Sequence, residues 1–210
     1  MNAQSLQEMQ AGFAVEALGS QAAFRVALQA LSHPGRVWPM PIDAECPAHG
    51  HAAAAVSLLA LLDADCTLWL SPTLAGSSTA AWLRFHTGCT LVTEPAQAQF
   101  AWVAQGDEVP DLAAFMPGTD TDPETSTTLV IDVAGFNHGN GNGDAFTLSG
   151  PGIATTQPLQ VQGLPNTFAE QWAHNHDAFP RGVDVLLASP ATLAGLPRST
   201  RIAASAELEN

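Results

Sequence analysis

Apolar and polar positions along this chain follow two periods, and each marks a kind of element. Residues 6–18 are apolar at irregular helical spacing. Gly19-Ser20 interrupts them, and Ser20 is suited to cap a new helix. Phe24, Leu28 and Leu31 then step by four and three, the spacing of one helix face. Pro34-Gly35 ends that helix with the residues of a type II turn. Residues 52–62 are rich in alanine and leucine and long for a strand, which predicts a buried helix. Residues 67–70 predict a short strand closed by Ser71-Pro72. Ser77 or Ser78 caps a helix to Thr87, with Gly88 at the C′ position.

Further along, residues 99–103 read as a strand and 107–115 as weakly helical. Residues 128–133 form a β-branched run that predicts a buried strand. Residues 137–144 consist of Asn, Gly, His and Asp, the composition of a turn. The chain then returns as a strand over 145–149, which predicts a hairpin. Asn166 caps a helix to about His176, and 183–188 is another buried strand. Helices mixed with strands, plus an antiparallel hairpin, predict an α/β protein: a three-layer α/β/α sandwich around a mixed sheet. With no repeat and no long low-complexity linker, 210 residues are expected to form a single domain over 1–210.

Composition narrows the function. The chain has no lysine and only six arginines against twenty acidic residues, a formal charge of −14. That balance argues against nucleic acid or an anionic membrane as partner, because both require many cations. Arginine this scarce is expected to be placed for specific partners rather than scattered. Without lysine there is no amine side chain for the internal aldimine of a pyridoxal-phosphate enzyme. No G-x-S-x-G motif is present either. The three cysteines, Cys46, Cys66 and Cys89, are odd in number and lack C-x-x-C spacing, as expected of free thiols in a reducing compartment. No cation precedes Arg25, and the apolar run 52–62 falls far short of the ~20 residues that span a bilayer. The expected location is the cytoplasm.

Several clusters carry candidate chemistry. Cys46-Pro47-Ala48-His49-Gly50-His51 offers metal ligands but no fixed fourth partner, so an ordinary loop without metal is expected. His174 and His176 are about 200° apart on a helix and read as polar surface. The 137–144 loop resembles a glycine-rich phosphate loop but lacks the lysine and hydroxyl of one. In Ser149-Gly150-Pro151-Gly152-Ile153, Gly150 and Gly152 permit positive φ or close backbone approach. The turn either packs tightly on a neighbour or forms a nest for an anion. Arg84 and His86 share the last turn of a helix, where cations complement the dipole. Arg198 with Ser199 and Thr200 is the best anion-binding cluster, since a planar guanidinium and two hydroxyls suit phosphate or carboxylate. A salt bridge to one of the many carboxylates is the alternative use of Arg198.

Five motifs in order resemble one family. Phe24-Arg25, Leu28, Ala30, Ser32 and Pro34-Gly35 match F-R-x-x-L-x-A-x-S-x-P-G, and Leu83-Arg84-Phe85-His86-Thr87 matches the family's central motif. Leu148, Gly150, Gly152 and Ile153 match L-x-G-x-G-I. Phe179-Pro180 with Gly182 and Asp184 matches F-P-x-G-x-D, and Pro197-Arg198 with Thr200 matches P-R-[ST]-T. The chain thus resembles the PhnH family, one component of the bacterial carbon–phosphorus (C–P) lyase system for phosphonate breakdown. The resemblance implies a fold related to pyridoxal-phosphate-dependent transferases that has lost the cofactor. It also implies a homodimer in isolation and a complex with the G, I and J subunits of that system. The complex joins methylphosphonate to ATP, giving ribose 1-methylphosphonate 5-triphosphate. The leading expectation is a non-catalytic, structural or assembly role, with Arg84 and Arg198 tying down the fold or an interface. The alternative is direct binding of nucleotide or phosphonate through Arg198, Ser199, Thr200 and the Gly150–Gly152 turn.

Overall fold

The computed structural model describes residues 11–136 and 144–204. In chain order the elements begin with α1 (Glu16–Ser32), β1 (Trp38–Pro39), α2 (Ala52–Leu61), β2 (Thr67–Leu70), α3 (Pro72–Ala75), α4 (Ser78–Thr87) and β3 (Thr90–Val92). Next come β4 (Phe100–Val103), β5 (Thr128–Asp132), β6 (Gly135–Phe136), β7 (Asp144–Ser149) and β8 (Gln157–Gln162). The last are α5 (Phe168–Asp177), β9 (Asp184–Ala188), β10 (Thr192–Leu196) and β11 (Arg201–Ala204). Seven strands form one mixed sheet in the order β1-β10-β9-β5-β4-β2-β3. From β3 to β9 neighbouring strands are parallel; β10 and β1 close that edge with antiparallel pairings. A second, four-stranded antiparallel sheet runs β11-β7-β8-β6.

The large sheet is buried on both faces, and β5 shows how. Val130 points into a core with α1 to α4, while Leu129 and Ile131 point into the opposite core. This is the period-two alternation of a strand. The second core is closed by the small sheet and α5, through Phe146, Leu148, Leu159, Val161, Phe168 and Trp172. The third layer is therefore mostly a β-sheet, which corrects the expected layer of helices. The expected hairpin is also corrected. β5 pairs with β4 and β9, whereas β7 turns back onto β8 and also takes β11 as a neighbour. Residues 137–143 of the expected turn lie outside the described residues.

Helix α1 departs furthest from its sequence pattern. It runs unbroken through Gly19 and Ser20, with Val15 rather than Ser20 at the N-cap. Its buried residues are Gly19, Ala23, Ala27 and Ala30, not the larger apolar ones. Phe24 and Leu28 are 47% and 55% exposed. The cause is the short distance between helix and sheet: a Cβ added at Gly195 of β10 would lie 2.5 Å from the Ala30 carbonyl carbon. Only a small-residue face fits against a strand that close. Other boundaries follow local chemistry. Ser77 accepts from Thr79 N at the start of α4, and Gly88 ends it in the left-handed region at φ 76°. The Pro34-Gly35 turn forms as expected, with Gly35 at φ 76° and Arg36 N donating to His33 O at 3.2 Å. The weak helix over 107–115 is reduced to one 3₁₀ turn at Leu112–Ala114.

Candidate functional site

Four of the five motifs meet where the two sheets join. Between β10 and β11 the chain has only residues 197–200, and Arg198 holds that crossing. Its guanidinium grips Asp184 at the start of β9, Nε to Oδ1 at 3.1 Å and Nη2 to Oδ2 at 2.5 Å. The Arg198 backbone N donates to the same Oδ1 at 2.7 Å. Nη1 donates to the carbonyls of Pro123, at 2.6 Å, and Pro180, at 3.4 Å. A guanidinium has five N–H donors, and these contacts engage every one of its nitrogens. The side chains of Arg198 and Asp184 are only 13% and 21% exposed. The structure thus realises the salt bridge at Arg198 and leaves its guanidinium little capacity for an external anion. Thr200 is buried, donates its N–H to Pro197 O at 2.8 Å, and accepts from the Trp172 indole at 2.8 Å through its carbonyl. His176 Nδ1 is 3.0 Å from Arg198 O. Since a carbonyl only accepts, Nδ1 carries the proton of that bond.

The turn between β7 and β8 packs onto this crossing. Gly150 has φ 132°, and a Cβ there would lie 2.9 Å from Ser199 O. Gly152 has φ 83°, and a Cβ there would collide with Ser32 O of the first motif. Both glycines thus serve close packing in a left-handed backbone region. Beside them lies a groove of about 450 Å³. Gly150 and Pro151 form one wall, His176, Asp177 and Phe179 another, and Ser199 and Arg201 the third. Of the predicted residues, Gly150 and Ser199 come together here. The guanidinium in the groove belongs to Arg201 rather than Arg198, with His176 and Asp177 also in the lining.

Arg84 and His86 sit elsewhere, at the exposed end of α4. The His86 ring lies edge-on to Trp82 at 5.3 Å and Phe85 at 5.0 Å. Phe85 is 46% exposed. With His86, Phe13, Leu59, Glu16 and Ser20 it borders a concavity of about 340 Å³. A second hollow of about 610 Å³ shares Glu16 and Ser20 with the first and reaches Phe24 and Ala60. Phe85 and Phe24 therefore border one continuous surface across α1, α2 and α4. The Cys46–His51 loop has a different use. His51 caps α2, and its Nε2 is 3.0 Å from Val133 O. Burial pushes the Cys46 thiol up to about 11.

Asp132 is a buried carboxyl that no motif marks. It ends β5 at the C-terminal edge of the parallel strands, where α/β sheets commonly place ligands. Its Oδ1 accepts from the Trp102 indole and its Oδ2 from His51 N, each at 2.9 Å. Burial pushes its pKa up to about 6, against the pull of those two donors and of the His51 charge. A charged residue closing the apolar run Leu129-Val130-Ile131 was the available signal. A pyridoxal-phosphate site needs a lysine and a partner for the pyridinium nitrogen. The chain has no lysine, and both oxygens of Asp132 are engaged by its own donors, so these residues do not fit that cofactor.

Two predictions test the site's physics. Arg198→Ala removes one partner of a largely buried pair and should cost about 3 kcal/mol of stability. Arg181→Ala breaks a pair with Asp120 whose side chains are 48% and 79% exposed, and should cost well under ~1 kcal/mol. Urea denaturation measures both, and equal losses would contradict the assignment. The second concerns pH. Asp132 rises from an ordinary 3.8 to about 6 on folding, so between those values the folded chain holds a proton that the unfolded chain has lost. Stability therefore falls as pH rises through that window and levels off above it, by ~3 kcal/mol in all. Asp132→Asn should flatten that fall; urea midpoints of the two proteins that run parallel from pH 4 to 7 would refute it.

The comparisons with known proteins agree with the motifs. The family model described as "Bacterial phosphonate metabolism protein (PhnH)" matches residues 11–203. The chain is 36% identical over 203 residues to the Rhizobium meliloti (strain 1021) protein named "Alpha-D-ribose 1-methylphosphonate 5-triphosphate synthase subunit PhnH". That match covers 96% of this chain and 98% of the relative. It is also 35% identical over 182 residues to "Putative C-P lyase subunit protein HtxG" of Stutzerimonas stutzeri, covering 87% of this chain and 85% of the relative. The length of the match, and the agreement of motif, geometry and relatives, place this chain in the PhnH family.

Proposed function

We propose that this protein is the PhnH component of a carbon–phosphorus lyase core complex. In this reading it supports the step that joins methylphosphonate to ATP, giving ribose 1-methylphosphonate 5-triphosphate. Its contribution is assembly rather than chemistry. The relatives' names point to membership of such a synthase or lyase. One observation carries the assembly role: Phe24, Leu28 and Phe85 belong to the motifs yet stand 47%, 55% and 46% exposed. Side chains of that size gain by burial, about 2 kcal/mol each when covered. The motif residues at the sheet junction are accounted for by the fold; these three are not. The G, I and J subunits are the proposed cover, with a homodimer in the absence of partners and a cytoplasmic location. The fold is read as a cofactor-free relative of pyridoxal-phosphate transferases, supported by the mixed seven-stranded sheet and the missing lysine.

The groove favours a second reading, direct binding of nucleotide or phosphonate. It gathers Arg201, His176 and Ser199 beside the Gly150 turn, with Phe179 59% exposed at its wall. Coexpression with the G, I and J subunits separates the two. Wild type should co-purify with them, and a variant with Phe24→Asp, Leu28→Asp and Phe85→Asp should fold yet bind them roughly tenfold or more weakly. Failure of the wild type to co-purify, or unchanged binding by the variant, would overturn the assembly reading. Calorimetric binding of ATP or methylphosphonate that Arg201→Ala abolishes, in a complex that still assembles, would establish the second.

A further inference from the structure

Cys66 and Cys89 stand at the foot of two adjacent parallel strands. The register pairs Thr67 of β2 with Thr90 of β3. The hydrogen bond opening that ladder runs from Thr90 N to Cys66 O at 2.9 Å. One residue earlier on each strand come Cys66 and Cys89. Register neighbours in adjacent strands lie about 4.8 Å apart and project to the same face. Both cysteines pack on the core that faces α1 to α4. A disulfide accepts Cα separations of about 4.4–6.8 Å, and the spacing expected of neighbours in this register falls in that range. Cys46 is placed differently, its thiol directed at the carbonyls of Ala44 and Ala52.

The surroundings distinguish the two thiols. Cys66 is partly exposed and donates to Asp63 Oδ1 at 3.2 Å. Cys89 is 1% exposed; burial pushes its thiol up, against the pull of the Thr87 side chain first and of the Arg84 charge last. An oxidant from solvent thus meets Cys66 first, and Cys89 waits behind it. Burial raises both thiols above their usual value. That makes the pair slow and suits it to sustained oxidant rather than rapid cycling.

We propose that Cys66 and Cys89 form a reversible intrachain disulfide when the protein meets a hydroperoxide. The Cys66 thiolate attacks the peroxide oxygen, giving a sulfenic acid and, for hydrogen peroxide, water. The Cys89 thiolate then displaces the sulfenic hydroxyl as a second water, closing the S–S bond. Two thiols lose two protons and two electrons, and one peroxide is reduced to two waters. The bond links the residue just before β2 to the residue just after Gly88, which caps α4. It therefore fixes the end of the helix that carries Arg84, Phe85 and His86. Redox state would bear on the face proposed above for partners, but bond formation itself does not depend on that reading.

The test uses the full-length native chain treated with hydrogen peroxide, alkylated, and digested with trypsin. Cleavage after Arg36, Arg84 and Arg181 puts Cys66 and Cys89 in separate peptides, 37–84 and 85–181. Mass spectrometry should find these joined within one chain, separable by dithiothreitol, with Cys46 alkylated. Cys46→Ser should leave the link intact, and Cys66→Ser or Cys89→Ser should abolish it. Persistence of all three thiols, oxidation to sulfinic or sulfonic acids without a link, a link through Cys46, or a link only between chains would each overturn the proposal.

Discussion

The chain crosses between the two sheets of this protein in four residues, and one ion pair pins that crossing. β10 leaves the large sheet at Leu196, and β11 enters the small one at Arg201. Arg198, between them, is fixed to Asp184 by both its side chain and its backbone N–H. Asp184 begins β9, in the parallel part of the large sheet. That contact pins the crossing to the large sheet, and other elements are fastened to the same segment. Trp172 and His176 of α5 bond to the carbonyls of Thr200 and Arg198. The Gly150 turn lies against Ser199, and the Gly152 backbone against Ser32. A charged pair suits this junction. Its donors and acceptors are directional, and loss of one partner strands the other in a poorly hydrated place.

That geometry divides the motifs by physical role. Residues around Ser32, Gly150, Asp184 and Arg198 explain each other, because each fills or bonds to the next. Phe24, Leu28, Arg84 and Phe85 have no such closure: all four are exposed, the two phenylalanines on adjoining hollows. Scarcity of arginine does not mean that every guanidinium is paired. Among the described residues Arg198 and Arg181 form ion pairs, while Arg84 and Arg201 form none.

Much of the fold is legible along the chain, for identifiable reasons. Residues 67–70, 128–133 and 183–188 read as strands because apolar or β-branched residues dominate each. The caps of α4 read correctly because Ser77 and Gly88 act through local backbone geometry. The inward face of α1 does not follow from its large apolar residues: alanines are buried where helix and strand approach closely, and Phe24 and Leu28 are left outside. β10, with its Gly195, carries too little bulk to announce a strand. β8 alternates Gln with Leu159 and Val161, yet Pro158 obscures it. The groove was half legible. Gly150 and Ser199 were marked by their motifs, but which arginine joins them depends on Asp184, fourteen residues from Arg198 in sequence. Asp132 escaped because its partners, Trp102 and His51, are distant in the chain.

The central claim is that one set of motif residues builds the junction and the other faces partners. Hydrogen–deuterium exchange, on the chain alone and within the coexpressed complex, tests it most directly. New protection should appear over α1 and the last turn of α4, with little change over residues 197–201 and the β7–β8 turn. Protection confined to the junction and its groove, with α1 and α4 unchanged, would contradict the account.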